Sequence, residues 1–193
     1  SLALENEIPL DKLGRRILAG LFCVPHKAGS DRLIFDRRPA NATERRLGWC
    51  ELPLGSMLCR LRLQADEEVR GSAADVSNYF YHLRLPDNFK HRSGLGRLIT
   101  GLDASALGGS ADLKYYLVSN VWSMGDHNAV CVAQAVHEGI LSQSDCFKPQ
   151  HRIKYKYPLP REVLEGAYID DHLVLGIVKK GSAKVLELSL IHI

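Results

Sequence analysis

The chain has 193 residues, 46% of them hydrophobic and 24% charged, with a formal net charge of +3 and a sequence pI near 8.6. This is enough apolar material for one sizeable core, or for a domain with a smaller lobe attached. No apolar run approaches the roughly 18 residues of a membrane-spanning helix, and the mild basic excess fits a nucleic-acid partner and an ordinary soluble protein equally well.

The five cysteines, Cys23, Cys50, Cys59, Cys131 and Cys146, are odd in number and have no CxxC spacing. They read as reduced thiols of an intracellular protein rather than a disulfide framework or a zinc site. Glu5, Glu7, Asp11 and Lys12 interrupt the start, so no secretory signal is expected there.

Taken in chain order, Leu10, Leu13, Ile17, Leu18 and Leu21 have helical spacing and predict a short amphipathic helix. Pro25 to Asp31 reads as a loop, and Leu33-Ile34-Phe35 as a strand. The charged stretch Asp36 to Arg46, with Pro39-Ala40-Asn41, reads as a turn or extended loop. In 51–70, Leu58, Leu61 and Leu63 mark a helix. Ala73 to Leu85 predicts a strand ending near Asp75, then a turn or helix start. The polar stretch 87–109 defines no element, and its Gly94-Leu95-Gly96 reads as turn glycines.

Lys114 to Val121 predicts a strand. Gly125 breaks it, and Asp126 caps a helix from His127 to about Leu141. In Lys154-Tyr155-Lys156-Tyr157, charge alternating with rings could track a phosphate backbone and stack bases. The alternative is an exposed strand. Ala167-Tyr168-Ile169, Asp170-Asp171 and Leu173 to Val178 then predict strand, tight turn, strand. The last six residues, 188–193, are expected to be a non-native or disordered tail.

Nucleotidyl transfer needs two divalent cations a few ångströms apart, one activating the attacking 3′ hydroxyl and one stabilising the leaving pyrophosphate. Magnesium prefers carboxylate oxygens and keeps several waters, so a few aspartates suffice. Two acids on a sharp turn with a third on the adjacent strand would make such a site, because neighbouring strands lie about 4.8 Å apart. Asp170 and Asp171 on the predicted hairpin, and Asp75 at a predicted strand end, have that pattern.

Tyr168-Ile169-Asp170-Asp171 resembles the Tyr-x-Asp-Asp box of reverse transcriptases. Asp75-Val76-Ser77-Asn78-Tyr79-Phe80 is similar to the family's first palm motif, an aspartate followed five residues on by an aromatic. Arg32-Leu33-Ile34-Phe35-Asp36-Arg37-Arg38-Pro39-Ala40-Asn41 resembles the fingers motif, and Ser123-Met124-Gly125-Asp126 the glycine turn that opens the second palm helix. The four occur in the family's order over most of the chain.

The resemblance implies an α+β fold, an antiparallel palm sheet backed by helices with a fingers lobe before it. The fingers part would span 1–72 and the palm 73–187. It implies an RNA-directed DNA polymerase of a retroelement, taking an RNA or DNA template with primer and deoxynucleoside triphosphates. Two Mg2+ ions, with Mn2+ as a substitute, would be held by Asp75, Asp170 and Asp171, with the carbonyl of Val76 as a further ligand. Arg32 and Lys27 would contact the triphosphate. Phe80 would exclude a 2′ hydroxyl, and Gly125 would let backbone approach template or nucleotide. No membrane partner is implied, and the oligomeric state is open.

Each position has a plainer reading: a helix cap for Asp75, core for Phe80, solvated charges for Lys27 and Arg32, turn formers for Asp170 and Asp171. The sequence also departs from the family. Ser123 and Met124 stand where Pro-Gln is usual, and the intervals between motifs are long, placing insertions in 87–109 and 144–161. No thumb, connection or ribonuclease H segment follows the box, so a fingers and palm fragment is expected. Two other functions remain open: a decayed, non-catalytic relic that binds nucleic acid, and a palm-type RNA polymerase, against which Phe80 speaks.

Overall fold

A computed structural model describes residues 1–48, 50–144 and 146–182. Among the described residues there are eight strands, β1 Leu2–Leu4, β2 Gly20–Lys27, β3 Ser30–Asp36, β4 Glu67–Asp75, β5 Gly94–Ile99, β6 Tyr115–Val118, β7 Val163–Tyr168 and β8 Asp171–Lys179. Four α-helices are described with them, α1 Arg38–Asn41, α2 Tyr79–His82, α3 Gly101–Ala106 and α4 Ala129–Gln143. All sheets are antiparallel and helices are few. No helix among the described residues is long and apolar enough to cross a membrane.

The chain forms two compact units, each from two separate stretches: Ser1–Gly48 with Asn78–Val130, and Trp49–Ser77 with Cys131–Ile193. This division by compactness differs from the fingers and palm division at residue 72, which rests on resemblance alone. The expected tail 188–193 and the last residues of the expected palm, 183–187, lie outside the described residues.

The first unit holds a three-stranded sheet of order β1-β6-β5 and the hairpin β2-β3. Ala3, Ile8 and Val118 form a small core, with Leu18 and Tyr116 packed against it. The helix expected over 10–21 is absent. Asp11 Oδ1 accepts the amides of Leu13 at 2.8 Å and Arg15 at 2.9 Å, and Gly14 sits at φ +74. This Asx-type turn closes the chain on itself, bridging Leu10 to Arg16. Leu13, expected on the apolar face, is 76% exposed.

The loop expected at 25–31 is instead the body of a hairpin. β2 runs through to Lys27 and β3 starts at Ser30, with Gly29 at φ +76 in the bend. Pro25 is tolerated because the hairpin is only two-stranded and a bulge follows it. The strand expected at 33–35 is present within β3, and the one expected over 114–121 is present but shorter, as Tyr115–Val118.

The second unit is built on a three-stranded sheet of order β4-β8-β7. Alternation assigns its two faces. Leu164 and its partner Leu175 join Met57, Ile153 and Ile177 in one cluster. Ala167, one residue out of phase with that face, packs with Leu141 of α4 and Phe147 in another. The helix expected around Leu58 is a short 3-10 turn, Gly55–Arg60, whose Met57 is buried.

Helix α4 starts at Ala129, two residues later than expected. Asp126 Oδ1 takes the amide of Asn128 at 2.7 Å, holding Asn128 in a turn ahead of the helix. None of the five cysteines forms a disulfide. Burial, then the neighbouring Cys131, pushes the Cys50 thiol up to about 11, so it stays protonated at neutral pH.

Candidate metal centre

The strand, turn and strand expected over 167–178 are present, but the turn is Ile169-Asp170 rather than Asp170-Asp171, and β4 ends at Asp75 as expected. Because β4 and β8 pair with Asp75 opposite Asp171, the end of one strand lies beside the start of its neighbour. Tyr168 is the partner of Asp171 on the other side, leaving Ile169 and Asp170 as the two-residue loop. One carboxylate oxygen from each of Asp75, Asp170 and Asp171 lies within 4.8 Å of the others, all in the second unit.

The loop conformation is strained. Ile169 has φ +58, a region that β-branched residues avoid. A positive φ at the first of two loop residues belongs to a II′-type hairpin turn, which favours glycine there. The surroundings hold it. Gln134 Oε1 accepts the amide of Ile169 at 2.7 Å, and Gln134 Nε2 donates to Ala167 O at 2.8 Å. His137 Nδ1 donates to Ile169 O at 2.8 Å, and Val76 donates its amide to Asp170 O at 3.0 Å. Gln134 and His137 are 3% and 2% exposed, so these bonds are shielded from water.

Sequence reasoning missed Gln134, and placed His137 on the semi-apolar side of its helix without its role at the turn. The readable signal was a Gln and a His at i and i+3 on a helix face otherwise made of small apolar residues, where each needs a partner. Gln134→Ala removes the side-chain partner of the part-buried Ile169 amide and of the buried Ala167 carbonyl. The expected loss is about 2–3 kcal/mol of stability, read by urea denaturation.

Partial desolvation, then the negative charges of Asp170 and Asp75, raise the Asp171 carboxyl above its usual value, and His137 offsets part of this. The proton therefore binds the folded chain more tightly than the unfolded one. Stability falls as pH rises through the window between the two values, and above it the carboxylates repel one another. Three hard oxygen donors with unneutralised charge fit a magnesium or manganese ion.

Saturating Mg2+ is therefore expected to raise Tm near pH 7. At about 100 times Kd the gain is about 2.7 kcal/mol. The gain should fade as pH drops towards about 4, where proton and metal compete. An equal Mg2+ effect at both pH values would contradict this.

The other expected site residues belong to the first unit. Lys27 and Arg32 are both exposed on the β2–β3 hairpin, and Arg32 Nη2 lies 3.1 Å from His26 Nε2. Phe80 lies on α2, half-buried, beside the fully buried Tyr79. Gly125 meets the chain's own backbone: a Cβ there would lie 1.8 Å from Phe35 O. Asn41 Nδ2 donates to Gly125 O at 2.9 Å, and Asn41 Oδ1 accepts from the His127 amide at 3.2 Å. The fingers-like motif and the glycine turn are thus bonded to each other. Arg37, 4% exposed, adds ion pairs to Glu44 at 2.9 Å and Asp126 at 3.1 Å.

No protein-family model and no curated protein matches the chain in sequence. Solved structures do match in fold. A foamy viral protease-reverse transcriptase dRH in complex with double-stranded DNA superposes with a TM-score of 0.51 at 16% identity, covering 89% of this chain and 22% of that one. A foamy viral protease-reverse transcriptase with double-stranded DNA gives 0.51 and 16%, covering 89% and 27%. A Prototype Foamy Virus protease-reverse transcriptase mutant gives 0.50 and 14%, covering 90% and 17%. The chain has a fold similar to part of a reverse transcriptase, and spans about a quarter or less of each of these neighbours.

Proposed function

We propose that the chain is the fingers and palm part of an RNA-directed DNA polymerase of a retroelement, with the fingers over 1–72 and the palm over 73–187. The observation that carries this reading is the convergence of Asp75, Asp170 and Asp171 within 4.8 Å, on paired strand ends, in a reverse-transcriptase-like fold. The partners are a primed RNA or DNA template and deoxynucleoside triphosphates, inside the cell.

Asp75, Asp170 and Asp171, with the carbonyl of Val76, would hold two Mg2+ ions. When bound, these ions supply charge stabilisation and a more acidic 3′ hydroxyl. The chain's own residues do the rest. Gln134 and His137 keep the strained turn in one geometry, so the carboxylates do not reorganise during reaction. Lys27 and Arg32 offset triphosphate charge. Phe80 blocks a 2′ hydroxyl, favouring deoxynucleotides, and Gly125 lets the glycine turn pack on the Phe35 backbone.

The test is extension of a labelled primer on an RNA template with Mg2+ and either nucleotide class. Incorporation of deoxynucleotides supports the reading. Binding of primed template without extension favours the non-catalytic relic, for which Met124, 39% exposed in the glycine turn, is the specific observation. A preference for ribonucleotides favours an RNA polymerase. Phe80→Ala should relax the sugar choice, raising the relative use of ribonucleotides by about 10-fold or more, by removing the clash.

A further inference from the structure

The segment between α4 and β7 has a fixed base and a strained tip. Glu165 is 7% exposed. It accepts the Phe147 amide at 2.6 Å and pairs with His151 Nδ1 at 3.0 Å. Its backbone accepts the Ile153 amide at 2.8 Å and donates to His151 O at 2.7 Å. Ile153 is buried in the cluster with Met57 and Leu164. Directly beyond this anchor, the Tyr157 amide donates to Lys154 O at 3.1 Å, closing a four-residue turn rather than the exposed strand considered from sequence.

Lys156 has φ +67 in that turn, while Tyr155 keeps a negative φ. This is a type II arrangement, whose third position normally belongs to glycine. A lysine there is strained, and its side chain is exposed. Tyr155 and Tyr157 are 43% and 59% exposed. Lys156 Nζ lies 5.2 Å from the Tyr155 ring centroid and Lys154 Nζ 5.9 Å from that of Tyr157. Neither lysine has an ion-pair partner among the described residues, and no Asp or Glu occurs from Phe147 to Arg161.

We propose that the Lys154–Tyr157 turn is a contact for a single-stranded nucleic acid, bases stacking on Tyr155 and Tyr157 and phosphates meeting Lys154 and Lys156. Aromatic rings interleaved with cations are what sequence-tolerant strand binding requires, since every base has a stacking face and every nucleotide a phosphate. Holding these groups, Tyr155, Lys156 and Tyr157 exposed and Lys154 half-buried, on a fixed base lowers the ordering cost of binding. The inference shares with the polymerase reading only that nucleic acid is a partner, and does not depend on the carboxylate site.

The experiment is fluorescence anisotropy of a labelled oligo-dT of about 20 nucleotides with the full chain, without divalent ions, over a salt series. The double variant Lys154→Gln/Lys156→Gln should flatten the slope of log affinity against log salt by about 1.4, about 0.7 per lost phosphate contact. Tyr155→Ala/Tyr157→Ala should weaken binding by at least about 10-fold. Lys156→Gly should weaken binding yet raise Tm by about 2–4 °C, because glycine accepts the positive φ.

Double variants that bind like wild type would overturn the proposal. So would a loss of affinity in Lys156→Gly that tracks a fall in Tm, which would mark the turn as structural. So would unchanged oligonucleotide binding with lost binding to phosphatidylserine vesicles, which would make the turn a membrane contact. Turn variants that lose binding in a chain that never extends a primer would sink the polymerase reading and leave this one standing.

Discussion

Asp170→Asn is expected to reduce Mg2+-dependent primer extension by about 1,000-fold or more, with no loss of folded stability. The size follows from electrostatics: removing one preorganised partner of a developing transition-state charge costs about 10²–10³, and in the proposed site Asp170 would help hold the ions that supply such charge stabilisation. The stability expectation follows from the crowding of three carboxylates within 4.8 Å. The substitution leaves untouched the Asp170 backbone carbonyl that accepts the Val76 amide at 3.0 Å, and removes one repelling charge. Extension rates from rapid quench and Tm from calorimetry check both halves. Extension within about threefold of wild type would remove Asp170 from the chemistry.

Gly125→Ala is expected to destabilise the protein by more than about 4 kcal/mol, enough to unfold many domains. The added methyl would lie 1.8 Å from the Phe35 carbonyl oxygen and 3.0 Å from its carbon. These are backbone atoms of a paired strand and have no flexible end to swing away. Any shift also pulls on the Asn41 bond to Gly125 O and on the buried Arg37–Asp126 pair. Urea denaturation measures the loss. By contrast, Gly29→Ala has open space around it and costs only its positive φ, about 1–2 kcal/mol. Equal effects at the two glycines would refute the steric account.

The parts legible in the sequence were those where local pattern and long-range pairing agree. Apolar runs on both sides of Asp170-Asp171 gave the β7–β8 hairpin, and the strand ending near Asp75 gave β4. The helix expected at 10–21 failed because spacing alone cannot outweigh an Asp11 side chain that captures two backbone amides. The β2–β3 hairpin was hidden by Pro25, which reads as loop unless the strand is known to be an edge. Gln134 and Glu165 were illegible as site-supporting residues because their worth lies in partners 33 and 18 positions away. The motif at Gly125 was visible, but the backbone it accommodates, Phe35, was not.

The proposed two-ion site is tested most directly by titrating Mn2+ into the chain with primed template and a deoxynucleotide, followed by electron paramagnetic resonance. Two Mn2+ ions per chain with an exchange-coupled signal, as ions about 3.5–4 Å apart give, is the result predicted, with both lost in Asp75→Asn/Asp170→Asn/Asp171→Asn. No stoichiometric Mn2+, or uncoupled ions that survive the triple substitution, would contradict it.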